Sequence, residues 1–190
     1  MIKVAITGNI ASGKSKVQEI LNEKGFKVLD ADDVSHELLT VKNKELFDEF
    51  KDYDVFEDGE FSRLKFGQLI FSNFDERKKL EKIMHPQIEN EIKKFFDNNL
   101  DEKILFVGIP LLFEANMQNL FDKIILVYTD DEIRLKRLIK RNDYTQNQAL
   151  ARINSQMNQD EKVSLSDYVI NNNGTFEQLK KKVFALIDQL

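Results

Sequence analysis

The sequence predicts an α/β fold: five parallel strands in one sheet, with helices on both faces in a three-layer α/β/α arrangement. Three observations carry this. Apolar runs of strand length recur at Ile2–Thr7, Lys27–Asp30, Ile104–Val107, Lys123–Tyr128 and Asp167–Asn171. Helical patterns follow them, and a glycine-bearing segment lies directly after the first run.

That segment, Gly8-Asn9-Ile10-Ala11-Ser12-Gly13-Lys14-Ser15, fits G-x-x-x-x-G-K-[ST] at every fixed position. A phosphate needs backbone N–H donors brought close to it. Gly8 and Gly13 supply the tight turn and an approach free of side chains. Lys14 then reaches the β- and γ-phosphates, Ser15 holds Mg²⁺, and a helix opening near Lys14 points its positive dipole end at the anion. The first strand, loop and helix are thus a phosphate-binding P-loop unit, and the chain is expected to use a nucleotide.

The second strand ends in Asp30-Ala31-Asp32-Asp33. Side chains alternate along an extended segment, so Asp30 and Asp32 are expected to face the same way, toward the phosphates. One carboxylate could accept a proton from an attacking hydroxyl and help to order Mg²⁺. The alternative is a pair of N-cap residues for the Val34–Leu39 segment.

Residues 41–100 read as helix after helix, with apolar positions at Leu46, Phe47 and Phe50, then Phe66, Leu69 and Ile70, then Ile88, Ile92, Phe95 and Phe96. Such an insertion is too long for an ordinary crossover and suits the cover of a second substrate. Within it, His85-Pro86 reads as a helix–helix corner, Pro86 opening a new helix. His85 is either a structural histidine or a group on the substrate side.

After the third strand comes Gly108-Ile109-Pro110-Leu111-Leu112-Phe113-Glu114, a loop expected to face the same cleft. Its apolar residues are core or a wall for a ligand, and Glu114 is hard to explain as packing. After the fourth strand, Asp131–Arg141 reads as a helix with Leu135, Leu138 and Ile139 on its apolar side and Arg134, Arg137 and Arg141 on another. Such a stripe is a solvated surface, or part of a lid over about 131–159 that closes Arg137 and Arg141 onto a transferred phosphoryl group and excludes water. The last strand runs into Asn171-Asn172-Asn173-Gly174, a turn tolerant of positive φ or a base-contacting loop, before a helix capped by Thr175.

The 190 residues carry a net charge of −5, so no broad basic surface makes nucleic acid or an anionic membrane a partner. With no cysteine and two histidines, disulfides, thiolate metal sites and a zinc site are not expected. Met1-Ile2-Lys3-Val4 leads straight into a strand pattern and no run reaches membrane-span length, which predicts a cytoplasmic protein. No D-x-x-G precedes any of the seven glycines, and Asn43-Lys44 lacks the Asp of N-K-x-D, Leu46 standing there. A GTPase switch is thereby excluded.

Taken together, the ordered motifs resemble the dephospho-CoA kinase family over nearly the whole chain. The residues that carry the resemblance are Gly8–Ser15, Asp30-Ala31-Asp32 with His36, Leu69-Ile70-Phe71, His85-Pro86, Pro110-Leu111-Leu112-Phe113-Glu114, Arg137 and Arg141, Arg152-Ile153 with Gln156, and Asp167-Tyr168-Val169-Ile170 running into Asn172-Asn173-Gly174. The resemblance implies a P-loop NTPase fold with a helical substrate-binding insertion and a small lid, all in one domain. It also implies ATP-dependent phosphorylation of the ribose 3′-hydroxyl of dephospho-CoA, the last step of coenzyme A synthesis, with Mg²⁺.

By that resemblance, Gly8, Ala11, Ser12, Gly13, Lys14, Ser15, Lys16, Asn172 and Gly174 bind the nucleotide, and Asp32 is the base. Lys14, Arg137 and Arg141 neutralise charge, while Asp30, His85, Pro110, Leu111, Leu112 and Glu114 lie on the dephospho-CoA side. Whether the chain is a monomer or a homo-oligomer stays open. Four positions depart from the family's habit: Asn9 and Ala11 stand for Gly, Lys16 for Ser or Thr, and Asn171 for Asp.

Overall fold

The computed structural model describes residues 1–190, with every side chain but that of Arg63. Strand β1 (Ile2–Thr7) leads into helix α1 (Lys14–Glu23), β2 (Lys27–Asp30) and α2 (Ala31–Leu38). Then come α3 (Lys44–Phe50), the two-residue strands β3 (Phe56–Glu57) and β4 (Glu60–Phe61), α4 (Arg63–Ser72) and α5 (Phe74–Asp97). The chain returns through β5 (Ile104–Gly108), a 3₁₀ turn at Gln118–Leu120 and β6 (Lys123–Tyr128). It finishes with α6 (Asp131–Asn142), α7 (Gln146–Asn154), α8 (Gln159–Ser164), β7 (Tyr168–Asn171) and α9 (Phe176–Ile187).

Five strands form one parallel sheet in the order β2-β5-β1-β6-β7. β1 is central because Val4, Ala5 and Ile6 are all apolar and wholly buried, as a strand covered on both faces requires. On one face Val4 and Ile6 join Phe106, Ile125, Val127 and Ile170 in a core with Val17, Ile20 and Leu21 of α1 and Leu179, Val183 and Leu186 of α9. On the other, Ala5, Leu105, Val107 and Leu126 are equally buried. Each such aliphatic side chain contributes about 1.5–3 kcal/mol relative to exposure. The carboxyl end of β1, where the strand order turns, is therefore a fixed platform.

The chain divides into two compact units, residues 1–30 with 96–190, and residues 31–95. Inside the second unit, α3, α4 and α5 fall on the predicted apolar periods, but two expectations fail. β3 and β4 form a hairpin whose turn, Asp58-Gly59, takes φ of 50° and 82°; Asp-Gly supports such a turn, and the helical reading passed over it. His85-Pro86 is no corner, because α5 runs unbroken through Pro86 for 24 residues. Met84, Ile88 and Ile92 are buried at a spacing of four, so one apolar stripe crosses the proline and holds the helix together despite its missing N–H.

Asp32 also departs from expectation. The strand stops at Asp30 and α2 starts at Ala31, so the alternation that would set Asp30 and Asp32 side by side does not apply. In the last loop Gly174 is absent from the positive-φ residues, against the turn expected there. Its missing side chain matters sterically, since a Cβ would meet Gln178 Oε1 at 1.9 Å. Gln178 is folded back in the capping box with Thr175 that opens α9, as the threonine predicted.

Candidate active site

The loop from Gly8 to Gly13 connects central β1 to α1 and is shaped by contacts at nearly every residue. A Cβ on Gly8 would lie 2.5 Å from Ser12 Oγ and 2.8 Å from the Val127 carbonyl oxygen. Gly13 caps α1 at φ 97°, and a Cβ there would lie 2.2 Å from Asn172 Nδ2. Both fixed glycines are thus demanded by crowding, and Gly13 by backbone conformation as well. At the free positions, asparagine tolerates a left-handed backbone better than alanine does, yet Ala11 rather than Asn9 adopts it, at φ 64°.

Lys14, at the first turn of α1 and 7% exposed, lies 3.1 Å from both carboxylate oxygens of Asp30 and 3.2 Å from Gln18 Oε1. Gln18 Nε2 donates to Asp30 Oδ2 at 2.8 Å, closing a triangle of lysine, carboxylate and amide. Gly108 stands level with Asp30 and Ile6 across the sheet, and a Cβ there would come within 2.3 Å of Gln18 Nε2 and 3.0 Å of Lys14 Nζ. Asp30 therefore touches the P-loop lysine. Gln18 was missed in the sequence, although its place one helical turn after Lys14 is the spacing at which such pairs meet.

The Ser12 carbonyl oxygen is the second organising point. It accepts from Asn172 Nδ2 at 2.7 Å, Thr129 Oγ1 at 2.9 Å and Arg137 Nη1 at 3.5 Å. Arg137 also donates to the Asn172 carbonyl at 2.9 Å and the Ala11 carbonyl at 3.4 Å. A polar network this well satisfied holds a backbone in one shape. Arg134 is not on a solvated face: it is 1% exposed, donates Nη2 to Asp131 at 2.6 Å and reaches the Ile10 carbonyl at 3.5 Å. Arg141, exposed at the end of α6, donates to Asn142 and makes no hydrogen bond to the loop among the described residues.

The remaining expected residues are spread more widely. Ser15 and Lys16 are exposed on α1, and Lys16 pairs with Glu19 and lies 5.8 Å from the Phe176 ring centroid. In the segment after β5, Leu112 is fully buried and Leu111 is 44% exposed, so of the two leucines Leu111 alone is open to a ligand, beside the half-buried Pro110. Glu114 has a structural explanation that sequence reasoning missed: it pairs at 2.8 Å with Lys162, whose side chain is wholly buried. No sequence signal marks Lys162 as buried: the one lysine between Lys140 and Lys180, it follows Asp160-Glu161 and reads as a solvated surface charge. Asp32 is exposed in the first turn of α2, and half-buried His85 lies within α5, both in the second unit. Burial lowers the His85 imidazole below its usual pKa of 6.5, against the nearby Glu81 carboxylate and with the help of the Lys78 charge.

A family model described as dephospho-CoA kinase matches residues 2–178. The chain belongs to the dephospho-CoA kinase family. It is 39% identical to a dephospho-CoA kinase of Listeria innocua over 193 residues, covering 98% of this chain and 96% of the relative. A dephospho-CoA kinase of Carboxydothermus hydrogenoformans is 39% identical over 191 residues, with 98% and 93% covered. Among solved structures, a Thermus thermophilus protein superposes with TM-score 0.86 at 32% identity, covering 100% of this chain and 97% of that one. The dephospho-CoA kinase of Campylobacter jejuni gives 0.73 at 30% identity, with 98% and 96% covered. Shikimate kinase of Bacteroides thetaiotaomicron, TM-score 0.58 at 12% identity over 99% of this chain and 97% of that one, shares the P-loop kinase fold. No helix among the described residues is long and apolar enough to cross a membrane.

Proposed function

We propose that the protein transfers the γ-phosphoryl group of ATP to the ribose 3′-hydroxyl of dephospho-CoA, giving coenzyme A and ADP by direct in-line displacement. The observation that carries the reading is a P-loop of defined shape with its lysine poised at 3.1 Å from Asp30, in a chain of the dephospho-CoA kinase family. In this reaction positioning and charge neutralisation supply most of the rate. Within Gly8–Ser15 the Ile10 amide donates to Gln156 and the Ser12 amide to the Asn9 carbonyl, and the other amides line the phosphates, helped by the positive end of α1. Lys14 shares its ammonium between Asp30 and the β- and γ-oxygens.

Mg²⁺ suits the donors present, because it takes hard oxygens, few carboxylates and the phosphates themselves. The exposed Ser15 hydroxyl, next to Lys14 on α1, and the Asp32 carboxylate are the groups that would hold it. When bound it would neutralise charge across the β- and γ-phosphates. Asp32, exposed and short, accepts the proton of the 3′-hydroxyl late in transfer.

Arg137 fixes the loop through the Ser12 and Asn172 carbonyls, whereas Arg141, exposed on the same helix, is available to the transferred group when the 131–159 segment closes. Asn172 serves the nucleotide through Ser12, and Gly174 lets Gln178 fold back in the cap of α9 that follows this loop. Pro110, Leu111 and His85 belong to the acceptor side. The test is ADP release from ATP and Mg²⁺ with dephospho-CoA, AMP, CMP, shikimate or no acceptor. Turnover is expected with dephospho-CoA alone; turnover only with another acceptor would overturn the assignment.

A further inference from the structure

The backbone of Met157, in the connection from α7 to α8, is gripped from two directions. Its carbonyl accepts from Asn9 Nδ2 at 2.8 Å, and its amide donates to Glu114 Oε1 at 3.2 Å. One residue earlier, Gln156 Oε1 accepts the Ile10 amide at 2.7 Å. Residues 156–157 therefore join two segments more than 90 residues apart in sequence, the P-loop at 9–10 and the 110–114 segment.

Each end of this link is anchored. The same Glu114 oxygen that accepts from Met157 lies 2.8 Å from Lys162 Nζ, and that fully buried ammonium also reaches the Pro110 carbonyl at 3.4 Å. Glu114 cannot leave the Met157 amide without abandoning a buried charge. At the other end, Asn9 is 3% exposed and its Oδ1 has no hydrogen-bond partner among the described residues, so the bond to Met157 is what its side chain adds to the loop. The Asn9 carbonyl in turn accepts the Ser12 amide at 3.0 Å, inside the turn that shapes the phosphate cradle.

We propose that Glu114 is a positioning residue for the nucleotide site: acting through Met157 and Asn9, it holds the P-loop in its phosphate-binding shape. This rests on the P-loop being the ATP site, and it assigns Glu114 a role other than contact with the acceptor. A residue on the 110–114 segment thereby sets nucleotide affinity.

The experiment is calorimetric titration of the whole protein with a non-hydrolysable ATP analogue and Mg²⁺, without acceptor, for the wild type, Asn9→Ala, Glu114→Ala and the double variant. Each single change is expected to weaken binding about 3- to 10-fold, the range of one net hydrogen bond. The double variant is expected to bind within twofold of the weaker single one, because both substitutions break the same link. Thermal unfolding separates a purely structural role, since loss of the Lys162 pairing lowers the melting temperature whether or not Asn9 is present.

An affinity of Glu114→Ala within twofold of wild type would overturn the proposal. So would the same loss in the Asn9→Ala background as in the wild type. Should Glu114→Ala fail to fold, Glu114→Ala with Lys162→Met takes its place, leaves no buried charge unpaired, and is judged by the same two results. Because no acceptor is present, an error in the acceptor assignment would leave these readings intact.

Discussion

Ala11 shows how a residue can satisfy a motif and still strain it. The G-x-x-x-x-G-K-[ST] pattern leaves its position free, yet the backbone there is left-handed at φ 64°, which costs an L-residue about 1–2 kcal/mol. Ala11→Gly is therefore expected to raise stability by about 1 kcal/mol in urea unfolding, after the entropy glycine adds to the unfolded chain. A neutral or destabilising result would contradict it. His85 gives a second test at this scale. Its pKa is lowered in the folded state, so the unfolded chain binds the extra proton first, and stability falls as pH drops from about 6.5 toward the folded-state value. His85→Gln is expected to flatten that limb of the curve of melting temperature against pH and to leave the region above pH 7 parallel to wild type. Equal slopes below pH 6.5 would refute it. The motif residues Gly8, Gly13 and Lys14 were legible because their chemistry is local. Thr129 and Lys162 were not, since their partners arrive from distant segments and nothing in their own neighbourhood marks them, whereas Gln18 had a local sign in its spacing of four from Lys14.

At the scale of elements, the strands were read well because each is an apolar run bounded by polar residues. Lys27–Asp30 and Lys123–Tyr128 are realised without change, and only the ends of β5 and β7 shift by a residue. The local rule failed at Pro86, where a helix break was expected and tertiary burial of Met84, Ile88 and Ile92 prevailed. That conflict has an energetic signature. A proline inside a helix is about 3 kcal/mol less favourable than alanine, so Pro86→Ala is expected to stabilise the protein by about 1–3 kcal/mol in denaturant unfolding. Unchanged or lower stability would mean that α5 needs the proline's geometry. The arginines of α6 show the reverse case. Their spacing was legible, but not which of them is buried: Arg134 and Arg137 turn to loop carbonyls at Ile10 and Ser12, while Arg141 stays in solvent.

For the molecule as a whole, strand order and motif order agree on one activity. The P-loop stands at the carboxyl end of the central strand, Asp30 and Gly108 close the space around its lysine, and the α6–α8 segment returns to brace the same loop. The division at residues 31–95 bounds a compact unit with Asp32 and His85 on it, starting ten residues before the insertion expected at 41–100 starts and ending five residues before it ends. Sequence periodicity read the helices α3, α4 and α5 there but could not read the hairpin, where two-residue strands are too short to show alternation. The most direct test of the central claim is the site of phosphorylation: incubate the protein with ATP, Mg²⁺ and dephospho-CoA, and locate the new phosphate by mass and NMR, with Lys14→Ala alongside. The account predicts a single added phosphate on the ribose 3′-oxygen with wild type and none with a folded Lys14→Ala variant. A phosphate at another position, or near-native turnover by Lys14→Ala, would contradict it.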